Sequence, residues 1–356
     1  MSLGRRGGRE PPADGTLGVR RVTPRRLNPP KLVAAAVAIA ALVIPAGRSA
    51  AGSALRPGPR ELVSLAGNAA AATAVRYGVH DDRGNSMDTV KIVQSGRGLY
   101  VSVYHTWTAG KFTVKLATST NVLDWHYIGD LDTDASQPTI RRLPTEGYLV
   151  AYEKQSADAT RHWLRFRHYA GLADLLSGVY RRQRDVTPAL SRIEGTPNIV
   201  SIKVAKGLSR STIAVGLHYN TPAGDREAIG TLTNFRAWSD RPNQALNRRL
   251  SALGVHGNLG DRDLETVLGT KLELVEGQTN ANDWSSWRVY AYDTSKSALT
   301  PVRLHTPGGS LSFGNPTLTP ITAPNGRPAL VVTYFVFSRG AAADEMGELI
   351  FYTALE

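Results

Sequence analysis

Acidic side chains that lie far apart in the sequence are the first candidates for chemistry in this chain. Each stands at one end of a short apolar stretch of strand length. The set consists of Asp88, Glu153, Glu194 and Glu276, with His105 and His218 in corresponding places. Gathering several carboxylates in a confined space raises their pKa values at a cost in free energy, so such a cluster indicates a use. That use is acid–base catalysis, recognition of sugar hydroxyl groups or metal binding.

A weak internal repeat indicates how these residues could come together. Three segments combine a polar residue, Pro, Thr or Asn, and an aliphatic residue, and two more segments fit less fully. The segments are Gln137-Pro-Thr-Ile140, Thr196-Pro-Asn-Ile199, Asn315-Pro-Thr-Leu318, Asp88-Thr-Val-Lys91 and His256-Gly-Asn258, the last of which matches Phe313-Gly-Asn315. The anchors are Asp88, Gln137, Thr196, Asn258 and Asn315, and each follows the one before it at a similar spacing, close to the length of one blade. A second pair of similar segments ends at Trp125 and Trp238, which lie two such repeat lengths apart.

This repeat predicts an all-β fold, a five-bladed β-propeller over residues 81–356. Short stretches rich in Val, Ile, Thr and Tyr alternate there with Gly, Asn, Asp and Pro, which is typical of strands and turns. A four-stranded blade needs about 40–50 residues, so five blades fill the segment. Two stretches, residues 169–184 and 241–253, could be helical. A two-sheet sandwich with accidental repeats is the alternative.

In a propeller, the innermost strands surround a central channel. The five anchors are therefore expected at one rim of that channel, and the far ends of the next strands return to the same rim. Those ends are His105, Glu153, His218, Glu276 and Phe335. Glu194 lies two residues before Thr196, and alternation along an extended chain predicts that both face the rim.

The other rim groups are suited to binding sugar hydroxyl groups, because amides and imidazoles both donate and accept hydrogen bonds. We predict substrate-binding roles for Gln137, His105, His218, Glu276, Asn258 and Asn315. Trp284 and Trp287 share one loop and are predicted to stack on sugar faces, although most tryptophans in a propeller pack between blades. No metal ligand set and no cofactor are assigned, and a channel-bound calcium ion is left open.

Two segments resemble parts of a known family. Thr118-Ser-Thr-Asn-Val-Leu-Asp-Trp-His-Tyr-Ile-Gly129 resembles the blade edge "S-x-D-L-x-x-W-x-x-x-G" of family 43 glycoside hydrolases and their five-bladed relatives. Glu194-Gly-Thr-Pro-Asn-Ile199 is similar to the segment that carries the catalytic acid in that clan. The likeness spans most of residues 80–356 as scattered blade motifs. It implies a glycosidase that cleaves a furanoside-type polysaccharide or oligosaccharide and is similar to arabinanases and xylosidases.

The resemblance also implies roles for three carboxylates. Glu194 would be the acid that protonates the leaving oxygen, and Asp88 the base or nucleophile. Glu153 would replace a middle carboxylate whose place is held by Gln137. From the residues alone, Glu194 could equally accept backbone N–H groups at the start of a strand, and Asp88 could be a turn residue.

Three departures from the family pattern favour a second reading, a non-catalytic glycan-binding or cell-wall-associated scaffold. Thr89 follows Asp88 where the family usually has Pro, and Gln137 stands where the family has Asp. Glu194 is separated from Pro197 by one extra residue. Since a fold does not fix a function, both readings stay open at this point.

The segment 1–54 predicts a secretory signal with a long basic head. Nine Lys or Arg residues occur in the segment 1–48, which overlaps the apolar run 32–45, and the small residues 49–54 follow. Fourteen apolar residues are fewer than the roughly 20 that a membrane span needs, although an uncleaved signal anchor is the alternative. Residues 55–80 would be a linker or a leading helix. We therefore expect a secreted, extracellular or cell-wall-associated monomer without a stable membrane span.

Composition narrows the function classes further. The formal net charge is +12, but more than half of it lies in the segment 1–48, where nine basic residues face only Glu10 and Asp14. The remainder contains no Lys/Arg run with interleaved aromatics, so nucleic acid is not the expected partner and carbohydrate is. The chain has no cysteine, which excludes disulfides, a thiolate nucleophile and zinc–thiolate sites.

Overall fold

The computed structural model describes residues 57–145 and 147–355, so the predicted signal segment of residues 1–54 lies outside the described residues. Within those ranges, twenty strands form five four-stranded antiparallel sheets. The helices there are α1 (Pro59–Gly67), α2 (Leu172–Leu176) and α3 (Gln244–Ala252), with short 3-10 turns at Ala69–Ala71, Leu208–Arg210 and Trp284–Ser286. No described helix has both the length and the apolar character to cross a membrane. Both stretches expected to be helical, 169–184 and 241–253, contain a helix.

The strands are distributed over the five sheets, or blades, as follows. The first strand, β1 (Ala74–Arg76), belongs to blade 5. Blade 1 contains β2 (Asp88–Gly96), β3 (Leu99–Thr108), β4 (Lys111–Ser119) and β5 (His126–Thr133). Blade 2 contains β6 (Ala135–Arg142), β7 (Tyr148–Gln155), β8 (His162–Tyr169) and β9 (Arg182–Asp185). Blade 3 contains β10 (Glu194–Val204), β11 (Ser211–Thr221), β12 (Gly224–Thr233) and β13 (Ala237–Pro242). Blade 4 contains β14 (Leu259–Val267), β15 (Thr270–Gln278), β16 (Trp287–Asp293) and β17 (Ala298–Pro301). Blade 5 is completed by β18 (Phe313–Thr322), β19 (Pro328–Val336) and β20 (Gly347–Ala354).

The blades form a closed ring. Their first strands contact one another in the order β2, β6, β10, β14, β18 and back to β2. Blade 5 combines both ends of the described chain, because β1 pairs with β20 through Ala74 and Tyr352. The predicted five-bladed propeller is therefore confirmed, and the sandwich alternative is wrong. The strand β1 lies within the segment 55–80, which the sequence assigned to a linker or leading helix.

The core lies between the blades. Side chains alternate along each strand, so every blade sends one set of apolar side chains into each of its two neighbouring gaps. A separate cluster of buried apolar residues occupies each gap, and α3 supplies Leu246 and Leu250 to the gap between blades 3 and 4. Representative members are Val103 with Val150, Phe166 with Val215, Leu274 with Val332, and Val90 with Val331.

Each innermost strand begins with a register shift of the β-bulge type. The shifts follow Asp88, Ser136, Gly195, Leu259 and Gly314. In blades 1, 2, 3 and 5 the residue inside the bulge has a left-handed backbone, with φ of 55° at Thr89, 51° at Gln137, 47° at Thr196 and 49° at Asn315. A bulge adds one residue that the partner strand does not match, and this re-aims the side chain.

The bulges correct the predicted anchors. Thr89, not Asp88, is the equivalent of Gln137, Thr196 and Asn315, because Asp88 pairs with β3 ahead of the bulge. Asn258 also differs from the prediction, since it precedes β14 and lies outside the strand. The Pro that follows three of the bulge residues aligned those repeats correctly, and the two repeats without Pro were misaligned.

Candidate functional site

Bulge residues from three blades meet at one end of the channel. The Thr89 hydroxyl donates to Gln137 Oε1 at 2.9 Å, and Asn315 Nδ2 donates to Thr89 Oγ1 at 2.8 Å. Blades 5, 1 and 2 are thereby joined through side chains that are 48 and 226 positions apart in sequence. The predicted convergence of Gln137 and Asn315 is confirmed.

The ends of the second strands return to the same place, as the repeat predicted. Asp88 pairs with His105, Ser136 with Glu153, Gly195 with His218, and Gly314 with Phe335. Glu276 holds the equivalent position in blade 4, where its carboxylate lies against Gly260. We call these five strand-end residues, together with Thr89, Gln137, Thr196, Asn315 and Asp88, which pairs with His105, the rim.

Most strand-end residues of the rim accept a hydrogen bond from the bulge of the next blade. Gln137 N donates to His105 Nδ1 at 3.1 Å, and Thr196 N donates to Glu153 Oε2 at 3.1 Å. Asn315 N likewise donates to Glu276 Oε2. Buried backbone N–H groups need such acceptors, so these side chains tie neighbouring blades together.

Blade 5 provides the acceptor for the next bulge's backbone N–H groups from a residue that the sequence analysis did not single out. Phe335 cannot accept a hydrogen bond, and its register partner on β20 is Glu348. Glu348 is 1 % exposed and accepts from Thr89 N and Val90 N, both at 3.2 Å. Burial, and then the nearby Asp88 carboxylate, raise the pKa of Glu348 well above its usual value.

Glu153 is bonded through both of its carboxylate oxygens. Its Oε1 accepts from His162 Nδ1 at 2.5 Å, and its Oε2 lies close to the Gly195 backbone beside His218. Burial alone would raise the pKa of Glu153, but the hydrogen bond from His162 and the charge of His218 lower it below its usual value. Glu153 is therefore ionised at neutral pH.

The pKa of Asp88 is shifted in the opposite direction to that of Glu153. Its carboxyl is half-buried, and Ser86 Oγ donates to its Oδ2 at 3.3 Å. Burial raises the pKa of Asp88 to about 6. Beside it, burial lowers the pKa of His105 to about 4, so this imidazole is neutral at physiological pH. Asp88 therefore holds its proton to an unusually high pH, as the neighbouring Glu348 does, whereas Glu153 gives its proton up readily.

Glu194 is placed differently from the expectation. The bulge at Thr196 interrupts the alternation, so Gly195 faces Glu153 and Glu194 points to the opposite side. Its carboxyl is fully buried and accepts the backbone N–H groups of Ala189 and Leu190 at 2.8 and 2.6 Å. Burial raises the pKa of Glu194 to about 7. Such a pKa suits a general acid, but the group has no exposed surface through which to reach a substrate, and its catalytic role stays a prediction.

Aromatic side chains flank the rim on two sides. Between blades 4 and 5, Trp284 is 51 % exposed, and its ring centroid lies 6.3 Å from Trp287 and 5.4 Å from Phe337. Phe337 stacks on Trp287 at 5.6 Å. On blade 1, Trp107 is 57 % exposed and packs edge-on against Phe112. Of the predicted pair, Trp284 offers an open face, whereas Trp287 is buried beneath it.

Asn258 forms hydrogen bonds that join two blades. Its Oδ1 accepts from Asp225 N at 3.1 Å, and its backbone N donates to Gln278 Oε1 at 3.4 Å. These bonds attach the β11–β12 hairpin of blade 3 to blade 4. Asn258 therefore lies ahead of the bulge of blade 4 and is not the equivalent of Asn315, while its binding role stays a prediction.

Below the rim, four charged side chains from the innermost strands bond one another, two of them buried and two half-buried, and we call them the central plug. The plug consists of Lys91, Arg141, Asp263 and Glu265. Lys91 bonds both acids and also donates to Leu318 O at 2.6 Å, while Arg141 bonds Glu265. Asn198 Nδ2 donates to Asp263 Oδ1 at 2.6 Å, so all five innermost strands take part. Two cations and two anions make the plug neutral.

Metal-binding groups and cavities are the other candidates for a functional site. The part of the chain that the structure describes has no group of three or more His, Asp or Glu residues placed to hold a metal ion. A cavity of about 1000 Å³ lies between α1 and blade 4, and its lining includes Arg60, Lys271, Tyr292 and Arg303. It contains none of the predicted site residues.

Comparison with known proteins supports the same architecture. No protein-family model matches the chain, and no curated protein matches it. Among solved structures, the α-L-arabinofuranosidase of Podospora anserina, in complex with cellotriose, is 10 % identical with a TM-score of 0.51 and covers 82 % of this chain and 98 % of its own. The family 43 endo-arabinanase of Bacillus licheniformis is 11 % identical, with a TM-score of 0.48 and coverage of 78 % and 96 %. A thermostable family-43 glycoside hydrolase is 8 % identical, with a TM-score of 0.45 and coverage of 78 % and 92 %.

The chain shares the fold of the five-bladed glycoside hydrolases. The resemblance that the blade motifs indicated is therefore confirmed at the level of architecture, and the low identity makes this chain a divergent one. Likeness at this identity does not transfer residue roles.

Two residues of the site escaped the sequence reasoning. Glu348 is visible only once β20 is aligned with Phe335, and a search for acids one strand beyond the rim would have found it. His162 opens β8, where it meets the end of β7, and its position nine residues after Glu153 is the signal that marks a hairpin partner.

Proposed function

We propose that this protein is a glycoside hydrolase whose rim binds and cleaves a polysaccharide or oligosaccharide of the furanoside type. The observation that carries the proposal is the placement of two carboxyl groups at one rim, Asp88 opposite His105 in blade 1 and Glu153 at the end of β7 in blade 2. Their surroundings shift the two pKa values in opposite directions, raising that of Asp88 to about 6 and lowering that of Glu153. Carboxyl groups held in different protonation states are what glycosidic cleavage requires.

In this mechanism, Asp88 is the acid and Glu153 the base. Asp88 gives its proton to the leaving oxygen as the glycosidic C–O bond breaks. Glu153 takes a proton from the water whose oxygen forms the new bond to the anomeric carbon. This assignment differs from the one that the family resemblance implied, because Glu194 is enclosed and Asp88 holds its proton.

Sugar recognition would come from the uncharged part of the rim and from the exposed aromatic face. The hydroxyl of Thr89 and the amides of Gln137 and Asn315 match sugar hydroxyl groups in hydrogen-bonding capacity. Trp284 presents an apolar face of the kind that stacks on a sugar ring. The neutral plug beneath would act as the floor of the site.

The test is turnover and binding on an arabinan, xylan and galactan panel. Asp88→Asn and Glu153→Gln are each expected to lower kcat/KM by about 10²–10⁴ while leaving binding intact, as for a lost general acid or base. Wild-type turnover should fall as pH rises above about 6, because Asp88 must keep its proton. The control is Asp124→Asn, whose side chain is 64 % exposed on blade 1. Full turnover in both rim variants would refute the assignment.

A second candidate is a glycan-binding propeller without turnover. One observation favours it: the bulge positions of blades 1, 2, 3 and 5 carry Thr89, Gln137, Thr196 and Asn315, all of them uncharged. Binding to the same panel without release of reducing ends by the wild type would select this candidate.

We also propose that the chain is exported and acts as a monomer outside the cell or at its wall. The basic head, apolar run and small residues of positions 1–54 support export. Mass spectrometry of protein recovered from culture medium should find a mature N-terminus close to residue 54. Recovery only with membranes and an intact N-terminus would favour the signal anchor.

A further inference from the structure

The enclosed carboxyl of Glu194 is bonded to the segment 187–193, which joins blade 2 to blade 3. Its Oε1 accepts three backbone N–H groups, from Ala189 at 2.8 Å, Leu190 at 2.6 Å and Ser191 at 3.3 Å. The side chain is 0 % exposed. One oxygen therefore fixes three consecutive residues of the segment.

The other oxygen of Glu194 faces a second carboxyl group. Glu194 Oε2 and Asp240 Oδ1 are both buried and have no hydrogen-bond partner among the described residues. The Asp240 carboxyl lies close enough to raise the pKa of Glu194 through its charge and a shared hydrogen bond. Asp240 Oδ2 accepts from Trp238 Nε1 at 2.8 Å, so that oxygen is satisfied. Two carboxylate oxygens repel each other unless a proton lies between them, and a neutral Glu194 that donates to an ionised Asp240 satisfies both.

The segment 187–193 leads directly to the rim. His162 N donates to Arg192 O at 2.9 Å, and His162 forms a parallel bridge with Ile193. The imidazole of the same His162 donates to Glu153. The segment therefore holds His162 on one side, while Gln155, its register partner on β7, holds it on the other.

We propose that Glu194 and Asp240 share one proton and clamp the segment 187–193, and that this clamp positions His162 against Glu153. Glu194 is then a positioning residue and not the acid. Asp240 on β13 is the charged group that faces it, and Tyr219 on β11 is its register neighbour. The clamp is a property of the fold, so it goes beyond the proposed activity and holds for either candidate function.

Removing the shared proton would set two carboxylates against each other in an enclosed space. Since burial raises the pKa of Glu194 to about 7, the proton is lost as pH rises through that value. The clamp is closed at lower pH and opens in mildly alkaline solution.

Hydrogen–deuterium exchange of the amides of residues 189–191 between pH 5 and 9, with NMR titration of His162, tests this without any substrate. In the wild type, exchange should rise above about pH 7 by at least about tenfold beyond the intrinsic effect of pH. Glu194→Gln keeps the acceptor oxygen and gives Asp240 an N–H donor, so protection should become independent of pH. Glu194→Ala should expose these amides at every pH and shift the His162 titration towards its usual range. The control is Asp124→Asn.

Two outcomes would overturn the clamp. One is an alkaline rise in Glu194→Gln equal to that of the wild type, and the other is full protection of residues 189–191 in a folded Glu194→Ala. If the alanine variant does not fold, the glutamine variant still decides. Where the wild type turns over a polysaccharide, Glu194→Gln should retain at least about half of the activity at pH 6, whereas loss of a catalytic acid would abolish it.

Discussion

Replacing Asp263 with asparagine tests the central plug, because the change removes one of four charges that hold the innermost strands together. Asp263 is 1 % exposed and its partner Lys91 is 2 % exposed on the side chain. Asp263 also accepts from Asn198 Nδ2 at 2.6 Å and from Leu318 N at 2.8 Å. An asparagine has one acceptor oxygen, so its NH₂ group would face at least one of these donors.

The magnitude follows from the burial of the pair. Removing one partner of a buried ion pair leaves an uncompensated charge and costs about 3–5 kcal/mol. The remaining neighbour of Lys91 is Glu265, at 3.1 Å, which is already bound by Arg141. We expect Asp263→Asn to lower the free energy of unfolding by about 4 kcal/mol.

The assay is equilibrium unfolding in urea. If the slope of the unfolding free energy against urea concentration is unchanged, the substitution has altered stability alone. The matched control is Asp124→Asn, because the Arg76–Asp124 pair is 50 % and 64 % exposed and such pairs contribute less than about 1 kcal/mol. The double variant Lys91→Met/Asp263→Leu should recover part of the loss, since it removes both charges. A cost for Asp263→Asn no larger than that of Asp124→Asn would refute the reasoning.

Three further predictions concern the rim. Gly195→Ala would place a methyl group on the Glu153 carboxylate and should lower stability by about 1–3 kcal/mol in thermal melts, whereas Gly129→Ala, with open space around it, should not. Trp284→Ala should leave the melting temperature within a few degrees of wild type, because the ring is 51 % exposed, but weaken glycan binding by about tenfold in calorimetry. His105 should not titrate between pH 5 and 8 by NMR. Because its folded pKa lies near 4 and its unfolded value near 6.5, its contribution to stability is complete above 6.5 and is lost as pH falls towards 4.

The number of blades could be predicted from the sequence because three of the bulges carry a recognisable Pro. Pro follows the left-handed residue at Gln137, Thr196 and Asn315, and these three repeats aligned correctly. Strand ends were also predictable, since a hairpin returns to the level at which it began. His105 and Glu153 were placed in this way.

The strand register at the bulges and the side-chain partners of the site residues could not be predicted from the sequence, for physical reasons. A bulge shifts the alternation of side chains by one residue. Asp88 therefore lies ahead of the bulge of blade 1, and the Glu194 side chain points away from the rim. Glu348 was missed because it lies on β20, one strand beyond the rim, and only a search for an acid opposite Phe335 would have found it. The carboxyl partner of Glu194 also lies several strands away in sequence, at Asp240.

The closure of blade 5 has a consequence for how the molecule is made. The strand β1 is among the first described parts to be synthesised, but β20, its partner, is among the last. Four blades can form from hairpins that are local in sequence, whereas the fifth has to wait for residue 354. Until β1 pairs with it, the newly made β20 has no outer neighbour, and an unpaired edge strand is a template for another chain. The three residues Ala74–Arg76 therefore protect the finished ring from sharing its last strand with a second molecule.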